Sequence, residues 1–125
     1  SGGFTDFFFY AGEAREWLER MIKTYPSRFE AYQVLGEMYG KALGWPFSYG
    51  DKKKGVEIME QGRSYAGRDG EYLLQLGQAY ILAERMPEAT VTLRDCIDEG
   101  LARADLEWEM IFLKERAQEI LDGIR

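Results

Sequence analysis

The sequence predicts an all-α protein, a stack of antiparallel helix hairpins with about six helices in its 125 residues. Only three prolines occur, and the stretches between them are rich in Glu, Leu, Ala, Lys and Arg, which favour helices. A second observation is an internal repeat of apolar and small residues at helical spacing. The length suits one domain of about three such hairpins.

The repeat is visible as two kinds of helix motif. The first kind, which joins large apolar residues to a Leu-Gly pair, occurs as Tyr32-x-x-Leu35-Gly36-x-x-Tyr39 and Leu73-x-x-Leu76-Gly77-x-x-Tyr80. The second kind has a small residue, a large apolar residue four positions later, and a small or apolar residue three after that. It occurs at Ala14, Leu18 and Met21, at Gly55, Met59 and Gly62, and at Ala89, Leu93 and Cys96.

The distances between motifs place them in one register. Gly55 and Ala89 are 34 residues apart, whereas Gly36 and Gly77 are 41 apart, as are Ala14 and Gly55. Both longer intervals cross the same connection, so one insertion of seven residues there brings all five motifs into phase. Glycine inside a helix costs roughly 1 kcal/mol relative to alanine, so these glycines are predicted to lie where helices approach closely.

Residues 1–125 are therefore predicted to form one domain made of four parts. These are a helix over 6–25 that matches the second half of a repeat, an expanded repeat over 29–67, a regular repeat over 70–100, and a capping helix over 105–124. A cap is expected because an uncovered hairpin would expose apolar surface.

The inserted connection is rich in aromatic residues. Residues 43–50 include Trp45, Phe47 and Tyr49, which either fold back onto the end of the hairpin or form a rim beside a binding groove. Asp51 follows and is predicted to cap the next helix through its carboxylate.

Three lysines, Lys52, Lys53 and Lys54, come directly after that cap. The first turn of a helix is unfavourable for cations, so we expect these side chains to be exposed. Two interpretations of these lysines are open: they are simply solvated, or they contact an anion or an acidic partner. The spacing Gly50-x-x-x-x-Gly55 is not a phosphate-binding loop, because Val56 and Glu57 stand where that motif requires Lys and Ser or Thr.

No residue set predicts an enzyme, a cofactor or a metal site. The chain has no histidine, which removes the commonest general base and metal ligand. Cys96 holds a packing position and is predicted to be a buried, unreactive thiol. The formal net charge of −6 disfavours nucleic acid as a partner, and no run of about 18 apolar residues predicts a transmembrane segment. A single cysteine leaves the compartment open, cytoplasm and periplasm alike.

These motifs resemble the tetratricopeptide family over roughly residues 10 to 100. The resemblance implies a right-handed stack whose concave groove is lined by the first helix of each repeat. The implied groove residues are Glu30, Gln33, Glu37, Gly40 and Lys41, followed by Glu71, Leu74, Gln78, Ile81 and Leu82. This set lacks the combination of Lys, Asn and Arg with which co-chaperone members of the family hold a C-terminal carboxylate.

The Trp-Pro-Phe connection and the following GDKKKGVEIMEQG are also similar to bacterial repeat proteins, which include periplasmic components associated with TRAP-type transporters. We therefore expect a scaffold that binds a peptide or protein in its groove, with Trp45, Phe47 and Tyr49 beside it. Three alternatives remain open: a carrier of a small hydrophobic ligand, a transporter-associated component, and an oligomeric structural adaptor. The last alternative, the structural adaptor, implies that copies of this chain form a homo-oligomer.

Overall fold

A computed structural model describes residues 3–41, 51–102 and 108–124, with side chains described for 12–41, 51–99 and 112–124. The described residues form six helices and no strand, which confirms the predicted all-α class. The helices are α1 (Gly3–Thr24), α2 (Phe29–Lys41), α3 (Lys52–Ala66), α4 (Gly70–Leu82), α5 (Met86–Ala102) and α6 (Trp108–Ile124). The chain divides into two compact units, Ser1–Tyr65 and Ala66–Arg125.

In the first unit, α2 is the central helix. It packs against α1, and the Tyr39 hydroxyl donates a 3.1 Å hydrogen bond to Oε1 of Glu19 on that helix. Its buried face follows the 3.6-residue period: Ala31, Tyr32, Leu35, Gly36, Tyr39 and Gly40. The ring of Tyr32 also stacks on Tyr65 of α3, with centroids 5.9 Å apart.

The crossing of α2 and α3 is a contact between backbones. A Cβ atom at Gly55 would lie 2.8 Å from the carbonyl oxygen of Gly36 and 3.0 Å from the amide nitrogen of Gly40. A Cβ atom at Gly36 would collide with Cγ of Met59. The predicted close approach at these glycines is confirmed, and their packing offsets the cost of glycine in a helix.

In the second unit, α4, α5 and α6 share one core. Its buried members are Leu73, Leu74, Leu93, Cys96, Ile97, Ala117 and Leu121. A Cβ atom at Gly77 would lie 2.6 Å from Cδ2 of Leu93, so glycine again allows the helix crossing. Ala89 is fully buried on α5. The capping helix α6 packs against both α5 and α4.

Both hairpins are closed by the same hydrogen bond. The amide of Asp51 donates to the carbonyl of Tyr39, and the amide of Arg85 donates to the carbonyl of Tyr80, each at 2.8 Å. Each tyrosine ring also faces a cation 5.0 Å from its centroid, namely Lys54 on Tyr39 and Arg85 on Tyr80. The two hydrogen bonds span 12 and 5 residues, a difference of seven, which is the length of the insertion predicted from the motif spacing.

Two of these helices begin at an aspartate whose side chain caps the helix N-terminus. The carboxylate of Asp51 accepts a 3.1 Å hydrogen bond from the amide of Lys54, which confirms the cap expected there. The carboxylate of Asp69 accepts one of 2.9 Å from the amide of Tyr72 at the start of α4. That second cap did not emerge from the sequence.

The motif on α1 packs differently from those on α3 and α5. Ala14 is exposed and Leu18 and Met21 are half-buried, whereas Gly55 and Ala89 are buried. The reason is local: α1 packs on α2, and no described helix covers the side of α1 that carries Ala14.

The substitution Gly55→Ala is expected to lower the free energy of unfolding by about 1–3 kcal/mol, because the added methyl group would meet two backbone atoms of α2. Urea unfolding followed by circular dichroism measures the change. Gly12→Ala is the matched control: its Cβ would have no neighbour within 4 Å, so it should raise stability by up to about 1 kcal/mol. Equal effects of the two substitutions would contradict the close crossing.

Candidate interaction surface

The outward face of α2 is an accessible polar stripe. Glu30 and Lys41 are exposed, and Gln33 and Glu37 are half-buried. Because these positions repeat at three- and four-residue intervals, the four side chains lie along one side of the helix over about 16 Å. Val34 lies next to them and is 45% exposed. We call Glu30, Gln33, Glu37 and Lys41 the α2 stripe.

The stripe is polarised along the helix. A glutamate stands in the first turn of α2 and a lysine in the last, so each charge is placed favourably in the helix dipole. Among the described residues, none of the stripe's charged groups has an ion-pair partner. These charges are therefore available to a partner, and no partner within the described chain competes for them.

The corresponding residues of α4 are less accessible. Glu71 is exposed and Gln78 is half-buried, but Leu74 is only 6% exposed and belongs to the core of the second unit. Ile81 packs against that core, which includes Ala117 and Leu121 of α6. Helix α6 therefore covers part of the α4 face. Leu74 offers almost no surface to a partner, and a binding role for Glu71, Gln78 and Ile81 stays a prediction.

Two other groove positions and the aromatic connection complete the predicted set. Gly40 is buried at the crossing with α3, and Leu82 is half-buried at the end of α4. Trp45, Phe47 and Tyr49 lie outside the described residues.

Four aromatic side chains in the described residues are exposed, and the sequence analysis anticipated none of them: Trp17, Tyr25, Tyr65 and Phe112. Trp17 on α1 is 62% exposed, with the guanidinium of Arg20 lying 5.6 Å from its ring centroid. Its position among charged residues was the available signal, because Glu16, Glu19 and Arg20 surround it in the sequence. A cavity of about 360 Å³ on the same helix is lined by Glu16, Glu19, Arg20 and Lys23. Such a charged lining does not suit a hydrophobic ligand.

Cys96 is a neutral core thiol. It is 1% exposed, and its Sγ donates a 3.2 Å hydrogen bond to the carbonyl of Gly70. Burial raises the pKa of the Cys96 thiol to about 11, and the nearby carboxylates of Asp69 and Glu99 act in the same direction. The thiolate that nucleophilic or metal chemistry requires is therefore disfavoured at neutral pH.

In the described parts of the chain, no group of three or more Cys, Asp or Glu side chains is placed to hold a metal ion. No described helix is long and apolar enough to cross a membrane. Comparison of the chain with family models, with curated proteins and with solved structures found no match.

The buried thiol should make stability depend on alkaline pH. The folded-state pKa is raised, so the stabilising effect is complete below the ordinary thiol pKa of 9.0 and disappears as the pH rises towards about 11. We expect the wild type to lose up to about 2 kcal/mol more than Cys96→Ser over this range, since serine does not titrate there. Urea unfolding at pH 8 to 11 measures it. Parallel curves for the two proteins would contradict the raised pKa.

Proposed function

We propose that the protein is an interaction scaffold that binds a peptide or protein segment along the α2 stripe. The observation that supports this most is the division of α2 into two faces. One face is buried in the first unit, and the other presents Glu30, Gln33, Glu37 and Lys41 to solvent without partners among the described residues. The resemblance of the helix motifs to the tetratricopeptide family supports the same function.

The chemistry of the stripe defines the segment that would fit it. Glu30 and Glu37 favour basic side chains, and Val34 between them favours an apolar residue. A bound helix or extended strand that places a basic residue, an apolar residue and a second basic residue along about 10 Å matches this order. Exposed charges contribute modestly each, so specificity arises from their spacing together with the apolar contact.

The glycine crossing gives the stripe a firm support. Contact between the backbones of α2 and α3 fixes α2 in the first unit, so the charged groups need little rearrangement to meet a partner. A preorganised surface loses less entropy on binding than a mobile one. We propose no catalytic role, since the one thiol is buried and neutral.

A displayed library of random peptides tests the proposal. Selected peptides should be enriched in Lys and Arg around an apolar residue, and Glu30→Arg/Glu37→Arg should weaken a selected peptide about tenfold or more in fluorescence anisotropy. The matched control is Glu13→Arg/Glu16→Arg, which makes the same change of charge at two exposed glutamates of α1. Equal losses in the two variants, or a selection without enrichment, would remove α2 as the binding surface.

A further inference from the structure

Positive charge is concentrated at one end of the first unit. Four of the six lysines of the chain, Lys41, Lys52, Lys53 and Lys54, fall within residues 41–54, whose only acidic residue is Asp51. This segment carries a net charge of +3, so the remainder of the chain carries −9 within the total of −6. We call these four residues the lysine cluster.

The fold joins the two helix ends that carry the lysine cluster. The 2.8 Å hydrogen bond from the Asp51 amide to the Tyr39 carbonyl joins the last turn of α2, where Lys41 lies, to the first turn of α3. Lys54 is held with its Nζ 5.0 Å from the Tyr39 ring centroid. Lys41, Lys52 and Lys53 are exposed.

The nearest carboxylates on the same helices, Glu37 and Glu57, stand four positions from Lys41 and Lys53 but form no ion pair with them. Three arginines elsewhere form ion pairs: Arg68 with Glu99, Arg85 with Glu88 and Arg116 with Glu119. Lys41, Lys52 and Lys53 form no ion pair with any described residue. The carboxylate of Asp51 accepts the Lys54 amide as a helix cap.

Helix stability does not account for the lysines of α3. Cations in the first turn oppose the helix dipole, and α3 has no acidic residue in that turn to offset them. Adjacent like charges add repulsion. The Asp51 cap offsets part of this cost, but three successive lysines beside it still oppose the local rule for stability, and such a conflict points to a function.

From this geometry we infer that the lysine cluster binds an acidic peptide segment of a protein partner. The inference goes beyond the proposed function, because it concerns the joined ends of α2 and α3 and fixes the charge of what binds there; Lys41 belongs to both surfaces. A short acidic segment covers the cluster alone. A membrane or a nucleic acid duplex is an extended polyanion, and the net charge of −9 on the remainder of the chain disfavours its approach at low salt.

Fluorescence anisotropy with a labelled peptide of alternating Glu and Ser tests the inference, with a Gln and Ser peptide as the neutral control. Binding should weaken as salt increases, and Lys52→Gln/Lys53→Gln should weaken it about fivefold. Lys23→Gln/Arg28→Gln removes the same charge from two other exposed cations of the first unit and should have little effect. Thermal melts show that both variants are folded, and the lysine variant should melt no lower than the wild type.

Three results would overturn the inference: no binding of the Glu peptide, equal binding of the Gln peptide, or equal weakening by both variant pairs. Vesicles of phosphatidylserine and phosphatidylcholine, and a DNA duplex, are tested in parallel. Tighter binding to either, lost in Lys52→Gln/Lys53→Gln, would assign the cluster to that polyanion instead of a peptide. Failure of this inference does not affect the proposed function of the α2 stripe. The variant that tests the stripe, Glu30→Arg/Glu37→Arg, retains all four lysines.

Discussion

The first unit depends on the close approach of two helix backbones. At the crossing of α2 and α3, the carbonyl of Gly36 and the amide of Gly40 lie where a side chain on Gly55 would have to be. This contact determines which side of α2 is buried and therefore which side is left for the α2 stripe. It also brings the ends of the two helices within reach of the hydrogen bond from Asp51 to Tyr39, which assembles the lysine cluster. Both candidate surfaces are consequences of one steric constraint.

The second unit also depends on a close helix crossing, but there glycine meets a side chain and not a backbone. There, Gly77 accommodates the side chain of Leu93, and Ala89 is fully buried on α5. A leucine side chain can shift by rotating, whereas a backbone cannot, so the two crossings differ in how much change they tolerate. The contacts Gly36 to Met59 and Gly77 to Leu93 span 23 and 16 residues, a difference of seven, as between the two closing hydrogen bonds.

The phase of small and large residues was sufficient to predict the six helices, the glycine crossings and the cap at Asp51. These features depend on local sequence and on one-dimensional spacing. The sequence predicted a helix covering the last hairpin, but it assigned Leu74 to the groove and not to the core shared with α6. A helical period shows which residues share a face and not what covers that face. It also placed Ala14 at a packing position, although no described helix lies over it. The exposure of Trp17 was missed for the same reason, since an aromatic residue suggests a core until its neighbours are known.

The bond between Asp51 and Tyr39 has a consequence for how this chain tolerates change. Because this bond joins the last turn of α2 to the start of α3, backbone atoms hold the two helix ends together. Closing a longer loop costs little, about 0.6 kcal/mol for each doubling of its length. The same closing bond spans 12 residues in the first unit and 5 in the second, so one type of closure accommodates connections that differ in length by seven residues. A longer connection therefore adds a small entropic cost without requiring a different closure.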